Sequence, residues 1–181
     1  MMTDVFSQPR VLRAHAKLNV SLRVLAREES GFHSVETVLL RLELADRIEL
    51  ETTGQPGIHL EVTGDASVPA DDRNLCWRAA RALYEHVERE GGTRIRLEKN
   101  VPAGAGLGGG SADAAAVLRG LNEAWGQPLS GSALLGLAGE LGSDVPFGLC
   151  DAPMVLAWER GRRMLCLLYT SPSPRDTNLH L

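Results

Sequence analysis

From Ala14 the chain alternates, with Ala16, Leu18, Val20, Leu22 and Val24 on one side and Lys17, Asn19, Ser21 and Arg23 on the other. A period of two marks a strand that shows one polar face. After a turn signal at Glu29-Ser30-Gly31, a second β-rich run covers Val35 to Leu44, and a third lies around Ile48 to Glu51. A fourth, Ile58 to Val62, follows the turn from Gly54 to Gly57. The period then changes. Asp71-Asp72-Arg73-Asn74 offers capping residues, and Leu75, Ala79, Ala80, Ala82, Leu83 and Val87 recur at helical spacing until Gly91-Gly92 stops them. Ile95 and Leu97 alternate with Arg94, Arg96 and Glu98 in another strand, which leads through Lys99-Asn100-Val101-Pro102 into a glycine-rich segment. Beyond it the pattern predicts a small-residue helix from about Ala112 to Trp125, a helix near Ser132 to Leu141, and a strand from Met154 to Trp158. Strands come first and helices later, without regular βαβ alternation, so the expected class is α+β rather than doubly wound.

Composition narrows this picture little. The 181 residues, 44% hydrophobic and 23% charged, suit one globular domain with a sizeable core. The net charge of −4 supplies no basic surface for a nucleic acid, so no nucleic-acid partner is expected. Cys76, Cys150 and Cys166 fit neither a disulfide framework nor a zinc spacing, which points to a reducing, cytoplasmic compartment. MMTDVFSQPR is not a signal peptide, and no run approaches the ~18 apolar residues of a membrane span.

The end of the chain breaks character. From Cys166 onward, CLLYTSPSPRD has no periodicity, and Pro172 and Pro174 forbid a helix or a central strand. One back-translation of it resembles an adapter used in transposase-based DNA library preparation. Residues 1–165 are therefore expected to form the domain and 166–181 a non-native tail. A genuine Ser/Pro-rich tail is the competing reading.

Chemistry concentrates in PAGAGLGGGS, Pro102 to Ser111, between a predicted strand and a predicted helix. Glycine costs conformational entropy, so five within ten residues imply a requirement. Such a loop can turn successive N–H groups inward, and the following helix aims its positive end at the same point, making a phosphate cradle. Ser111 can add a hydroxyl to a phosphate or to its magnesium. Gly104, Gly106 and Gly109 satisfy GxGxxG, but no acidic residue stands about 20 positions beyond Gly109 to hold a ribose. The loop also lacks the Gly-Lys-Ser/Thr of a Walker A motif, and the chain lacks the protein-kinase signatures. A loop that merely lets the helix Ala112-Asp113-Ala114-Ala115-Ala116 pack closely stays open at this point.

PAGAGLGGGSADAAA, Pro102 to Ala116, resembles the signature loop of the GHMP small-molecule kinases. Ala16-Lys17-Leu18-Asn19, Gly31-Phe32-His33 and Gly142-Ser143-Asp144-Val145-Pro146 narrow the resemblance to members acting on a cytidine-diphosphate-linked methylerythritol in the non-mevalonate isoprenoid pathway. It covers roughly residues 12 to 165 and implies the GHMP-kinase N-terminal domain, whose topology is similar to a domain of a ribosomal protein. By that resemblance, most of the family's C-terminal domain, with its second glycine-rich loop, is expected to be missing from this sequence. A homoserine- or mevalonate-type kinase, an inactive fragment and an RNA-binding module are the alternatives.

The resemblance implies transfer of a phosphoryl group from ATP, with Mg2+, to the 2-hydroxyl of that substrate. Asp144 would be the general base, and Lys17 would orient it and stabilise developing charge. Asn19 would bind the polyol or its phosphates, while Phe32 and His33 would hold the cytosine; Phe32 replaces the usual Tyr and keeps the stacking face. Asn74 would contact the adenine, although its place before the first helix also suits an N-cap. Pro102, Gly104, Gly106, Leu107, Gly108, Gly109, Gly110 and Ser111 would hold the ATP phosphates, with Ser111 the candidate metal ligand. His15 stands where the family usually has proline. Apolar surface normally buried against the second domain is expected to face water and to promote aggregation.

Overall fold

The computed structural model describes residues 9–27, 33–158 and 163–167, with the backbone alone at 26, 27, 33 and 34. Its elements are β1 (Arg10–Arg27), β2 (His33–Thr53), β3 (Gly57–Thr63), α1 (Leu75–His86), β4 (Gly92–Glu98), α2 (Gly109–Ala124), α3 (Gly131–Leu141), α4 (Val145–Leu149), β5 (Met154–Trp158) and β6 (Arg163–Cys166). The strands form one sheet in the order β3-β4-β2-β5-β6, with β1 also paired to β2. Every pairing is antiparallel except β3 with β4, which are parallel because α1 carries the chain across between them. The class is the expected α+β, with helices on one side of a mostly antiparallel sheet.

The boundary differences have local causes. The two runs from Val35 to Leu44 and from Ile48 to Glu51 are one strand, β2, because no glycine or proline separates them. A register shift absorbs the break in alternation: His15 faces Ala45, whereas Lys17 faces Arg41. Helix α2 begins at Gly109, not Ala112, so the last glycines of the loop form its first turn. Pro146 does not stop the chain from turning helical. It sits in the first turn of α4, where the missing N–H has no intrahelical partner to lose. Cys166 closes β6 opposite Val155, and its sulfur lies 3.6 Å from that of Cys150, a proximity the spacing did not suggest.

The core lies between the sheet and the helices. Leu12, Ala14, Ile48, Leu50, Ile95 and Leu97 meet α1 through Ala79 and Leu83 and α2 through Ala115, Leu118 and Leu121. Beyond Ala16 the apolar side of β1 leaves this cover. Leu18, Val20, Leu22 and Val24 are 46% to 62% exposed, in keeping with the expected apolar surface.

Helix α4 lies so close to α2 that a Cβ on Gly148 would come within 2.5 Å of the Ala115 Cβ. Neither partner has a flexible end to move aside. Gly148→Ala is expected to cost about 1–3 kcal/mol through overpacking, despite alanine's better helix propensity. A urea midpoint equal to the parent's would contradict this contact.

Candidate active site

The glycine loop is laid on β1. Lys17 N donates to Leu107 O at 2.9 Å, and Gly108 then turns the chain into α2 at a φ of 69°. That left-handed turn admits no side chain, since a Cβ there would stand 2.8 Å from Lys17 Cε and 2.9 Å from Cγ. Ala112 N closes the first bond of α2 on Gly108 O at 2.9 Å, and no side chain caps the helix. The N–H groups of Gly109, Gly110 and Ser111 are therefore the unpaired donors of a helix N-terminus, with Ser111 half-buried beside them. Such donors, with the helix dipole behind them, suit an anion. Pro102 to Gly106 form the exposed lip of this cradle.

Lys17 is buried beneath the loop, just past the register shift in β1. Its ammonium lies 3.2 Å from Asp144 Oδ2 and donates to Asn19 Oδ1 at 2.5 Å. Asn19 Nδ2 donates in turn to Thr37 Oγ1 at 2.8 Å, and the Thr37 hydroxyl donates to Ser21 O at 2.8 Å. The Thr37 proton is committed to a carbonyl, so its oxygen must accept from Asn19. This fixes which way the Asn19 amide points and aims its oxygen at Lys17. The third N–H of the ammonium has no partner among the described residues. Asp144 precedes α4 without capping it through its side chain, so its part-exposed carboxylate is committed to Lys17 alone among the described residues. Side chains from β1, from β2 and from the residue before α4, 127 positions apart at the extremes, thus place a carboxylate and a cation beside the glycine turn.

The sequence pattern does not announce Thr37, which lies within an apolar run and reads as ordinary strand filler. Nor does it single out the cluster under the loop. Lys99, just after β4, donates to Asp46 Oδ2 and, at 2.8 Å, to Asp113 Oδ2, and all three residues are buried. Asp46 Oδ1 accepts from Asn100 N at 2.6 Å and Val101 N at 2.8 Å, whereas Asp113 Oδ1 is buried without a partner among the described residues. Burial pushes Asp113 up to about 7; Lys99 opposes that rise and Asp46 adds to it. Burial pulls Lys99 down, but the two carboxylates outweigh it and hold it above its ordinary value.

A stability prediction follows from Asp113. Its folded form keeps a proton up to about pH 7, whereas the unfolded chain releases it near the ordinary 3.8. The folded state therefore binds more protons between these values. Its contribution to stability is full below about pH 4, falls as pH rises to about 7, and is flat above. Asp113→Asn is expected to remove this fall, read as the difference between the urea midpoints of variant and parent from pH 5 to 8. A difference that does not change with pH would refute it.

Asn74 is the N-cap of α1. Its Oδ1 accepts from Cys76 N at 2.9 Å and its Nδ2 donates to Pro69 O at 2.7 Å, which buries the side chain. The helix it opens reaches the cradle through Leu75, whose Cδ1 would stand 3.7 Å from a Cβ on Gly110. Phe32 and the His33 side chain lie outside the described residues. No helix is long and apolar enough to cross a membrane among the described residues, and no cluster of metal-binding side chains is found among them.

Residues 74–157, which include the glycine-rich turn, helix α2 and Asp144, match the GHMP kinases N terminal domain. The chain carries the N-terminal domain of a GHMP kinase. Relatives within the family include 4-diphosphocytidyl-2-C-methyl-D-erythritol kinases. That of Pelotomaculum thermopropionicum is 47% identical over 151 residues, which are 83% of this chain and 52% of the relative. That of Desulfotalea psychrophila is 48% identical over 138 residues, 75% of this chain and 46% of the relative. A crystal structure of 4-(cytidine 5'-diphospho)-2C-methyl-D-erythritol kinase superposes with a TM-score of 0.72 at 39% identity, over 87% of this chain and 55% of that one. A homoserine kinase from Cytophaga hutchinsonii, at 23% identity and a TM-score of 0.57, shares the fold. The chain spans about half the length of the curated relatives it matches.

Proposed function

We propose that this chain supplies the ATP-binding and catalytic half of a kinase that phosphorylates the 2-hydroxyl of a cytidine-diphosphate-linked methylerythritol. The observation that carries the reading is the Lys17–Asp144 contact of 3.2 Å at the mouth of the glycine cradle. Asp144 accepts the proton of the substrate hydroxyl, and Lys17 holds that carboxylate in place. The lysine's remaining N–H faces the transferred phosphoryl group, where developing charge needs a fixed donor. Gly109, Gly110 and Ser111 present their N–H groups to the ATP phosphates, with Gly104, Gly106, Leu107 and Pro102 shaping the lip. A bound Mg2+ would neutralise phosphate charge, and the Ser111 hydroxyl is the side chain placed to hold it. Asn19 orients the substrate polyol, Phe32 and His33 take the cytosine, and Asn74 presents its remaining amide capacity toward the adenine.

We further read residues 166–181 as non-native sequence appended to a domain of residues 1–165, supported by the adapter-like run from Cys166. Sequencing the source DNA past the Leu165 codon tests this; a native reading frame encoding the same Ser/Pro run would refute it. For the activity, ATP and the cytidine-diphosphate-linked alcohol are incubated with this chain and, in parallel, with residues 1–165 joined to the C-terminal half of the Pelotomaculum relative. Phosphorus NMR should show a new phosphomonoester from the joined protein. A joined protein that folds and phosphorylates homoserine or mevalonate instead would replace the proposed substrate.

A further inference from the structure

The loop that receives nucleotide in the reading above has two ends, and both rest on the same buried ions. At its entry, Asp46 Oδ1 accepts the N–H groups of Asn100 and Val101, the two residues that lead from β4 into the loop. At its exit, Asp113 lies on the first turns of α2, and its Oδ2 accepts from Lys99 at 2.8 Å. Lys99 joins the two, because its ammonium also donates to Asp46. It lies directly under the cradle: a Cβ on Gly109 would stand 3.2 Å from Lys99 Nζ. Asp46, Lys99 and Asp113 have relative exposures of 0%, 7% and 2%, so this lysine is committed to the interior and does not reach a phosphate as a surface cation would.

A cluster of this kind is a costly way to hold a core together. Desolvating an ion pair consumes most of its Coulombic gain, and an apolar set of equal volume often does as well. Here two carboxyl groups share one ammonium, and Asp113 Oδ1 has no partner among the described residues. Cys76 of α1 borders them as a neutral thiol, since burial holds its pKa well above the ordinary range. What the ions supply and an apolar set would not is direction. They fix the entry strand and the exit helix at one point, and thereby the separation across which the glycine loop is strung.

We propose that Asp46, Lys99 and Asp113 are positioning residues that clamp the two ends of the glycine loop and so set its affinity for the phosphates of a nucleotide. This rests on the nucleotide-binding reading for the ligand, though not for the clamp itself. Lys99→Met leaves two buried carboxylates facing each other and is expected to destabilise the chain strongly. The double substitution Lys99→Met with Asp113→Leu, made on an Asp46→Asn background, removes all three charged groups and leaves an amide oxygen at position 46 to accept the two backbone N–H groups. It is expected to melt within about 4 °C of the parent. At that matched stability the loop should still be misplaced. Binding of the non-hydrolysable ATP analogue AMP-PNP should be about 10–100-fold weaker, and the amides of residues 104–111 should shift and exchange faster by NMR.

If affinity and loop amides return to parental values together with stability, the cluster is only core and the proposal is overturned. If the parent itself binds no AMP-PNP, the nucleotide reading falls, while the loop amides still decide the clamp. If this combined variant does not fold, native-state exchange in the parent decides it. The amides of residues 100–101 and 112–113 should open as one unit, with a common free energy, and separate openings would overturn the clamp.

Discussion

Replacing Asp144 by asparagine is expected to lower kcat for phosphoryl transfer by about 10²–10⁴ while leaving nucleotide affinity little changed. The amide keeps the size of the carboxylate and its contact with Lys17, so the site's shape survives. What it loses is the capacity to accept the proton of the attacking hydroxyl. Because the carboxylate caps no helix through its side chain, its removal has little structural cost to confuse the result. Steady-state kinetics on the joined protein described above, with AMP-PNP binding measured alongside, checks both halves. A variant that retains more than about a tenth of the parental kcat would remove Asp144 from the role of base.

Gly108→Ala should do nearly as much damage by a different route. A left-handed φ costs a non-glycine residue about 1–2 kcal/mol, and here the added Cβ also meets Lys17 at 2.8 Å and 2.9 Å. Lys17 is 8% exposed and cannot swing into solvent, so relief comes by displacing the ammonium or lifting the loop. We expect a loss of about 1–3 kcal/mol in stability and a fall in kcat of about 10²-fold. Gly106→Ala is the informative comparison. Its φ of 75° is equally left-handed, yet no atom lies within 4 Å of its Cβ position. That variant should show the backbone cost alone and keep Lys17 in place. Equal losses of activity in the two variants would show that contact with Lys17 is not what Gly108 protects.

Much of the candidate site was legible because its chemistry is local. The glycine run, the small-residue helix after it and the Asn74 cap are written in consecutive residues, and each has a backbone reason to lie where it does. Lys17 and Asn19 were legible as a pair because strand geometry puts residues two apart on one face. Their meeting with Asp144 was reached through family resemblance, since nothing in the spacing of positions 17 and 144 brings them together. Thr37 was missed because a threonine inside Val35 to Leu44 looks like a β-branched strand residue. Only the pairing of β1 with β2 shows its hydroxyl orienting Asn19.

The sequence by itself determined the class, the order of elements and the glycine-rich turn into α2, because hydrophobic period and glycine placement act over a few residues. The tertiary structure decided the rest. It merged two runs into β2, since a register shift against β1 is invisible to either strand alone. It set the start of α2 within the glycines, and it left Leu18 to Val24 outside the cover of any described helix. Above all, it buried Asp46, Lys99 and Asp113 together, three residues separated by up to 67 positions whose charges would mark each as a surface residue. Burial is a property of the packed whole, and so is the chemistry that depends on it.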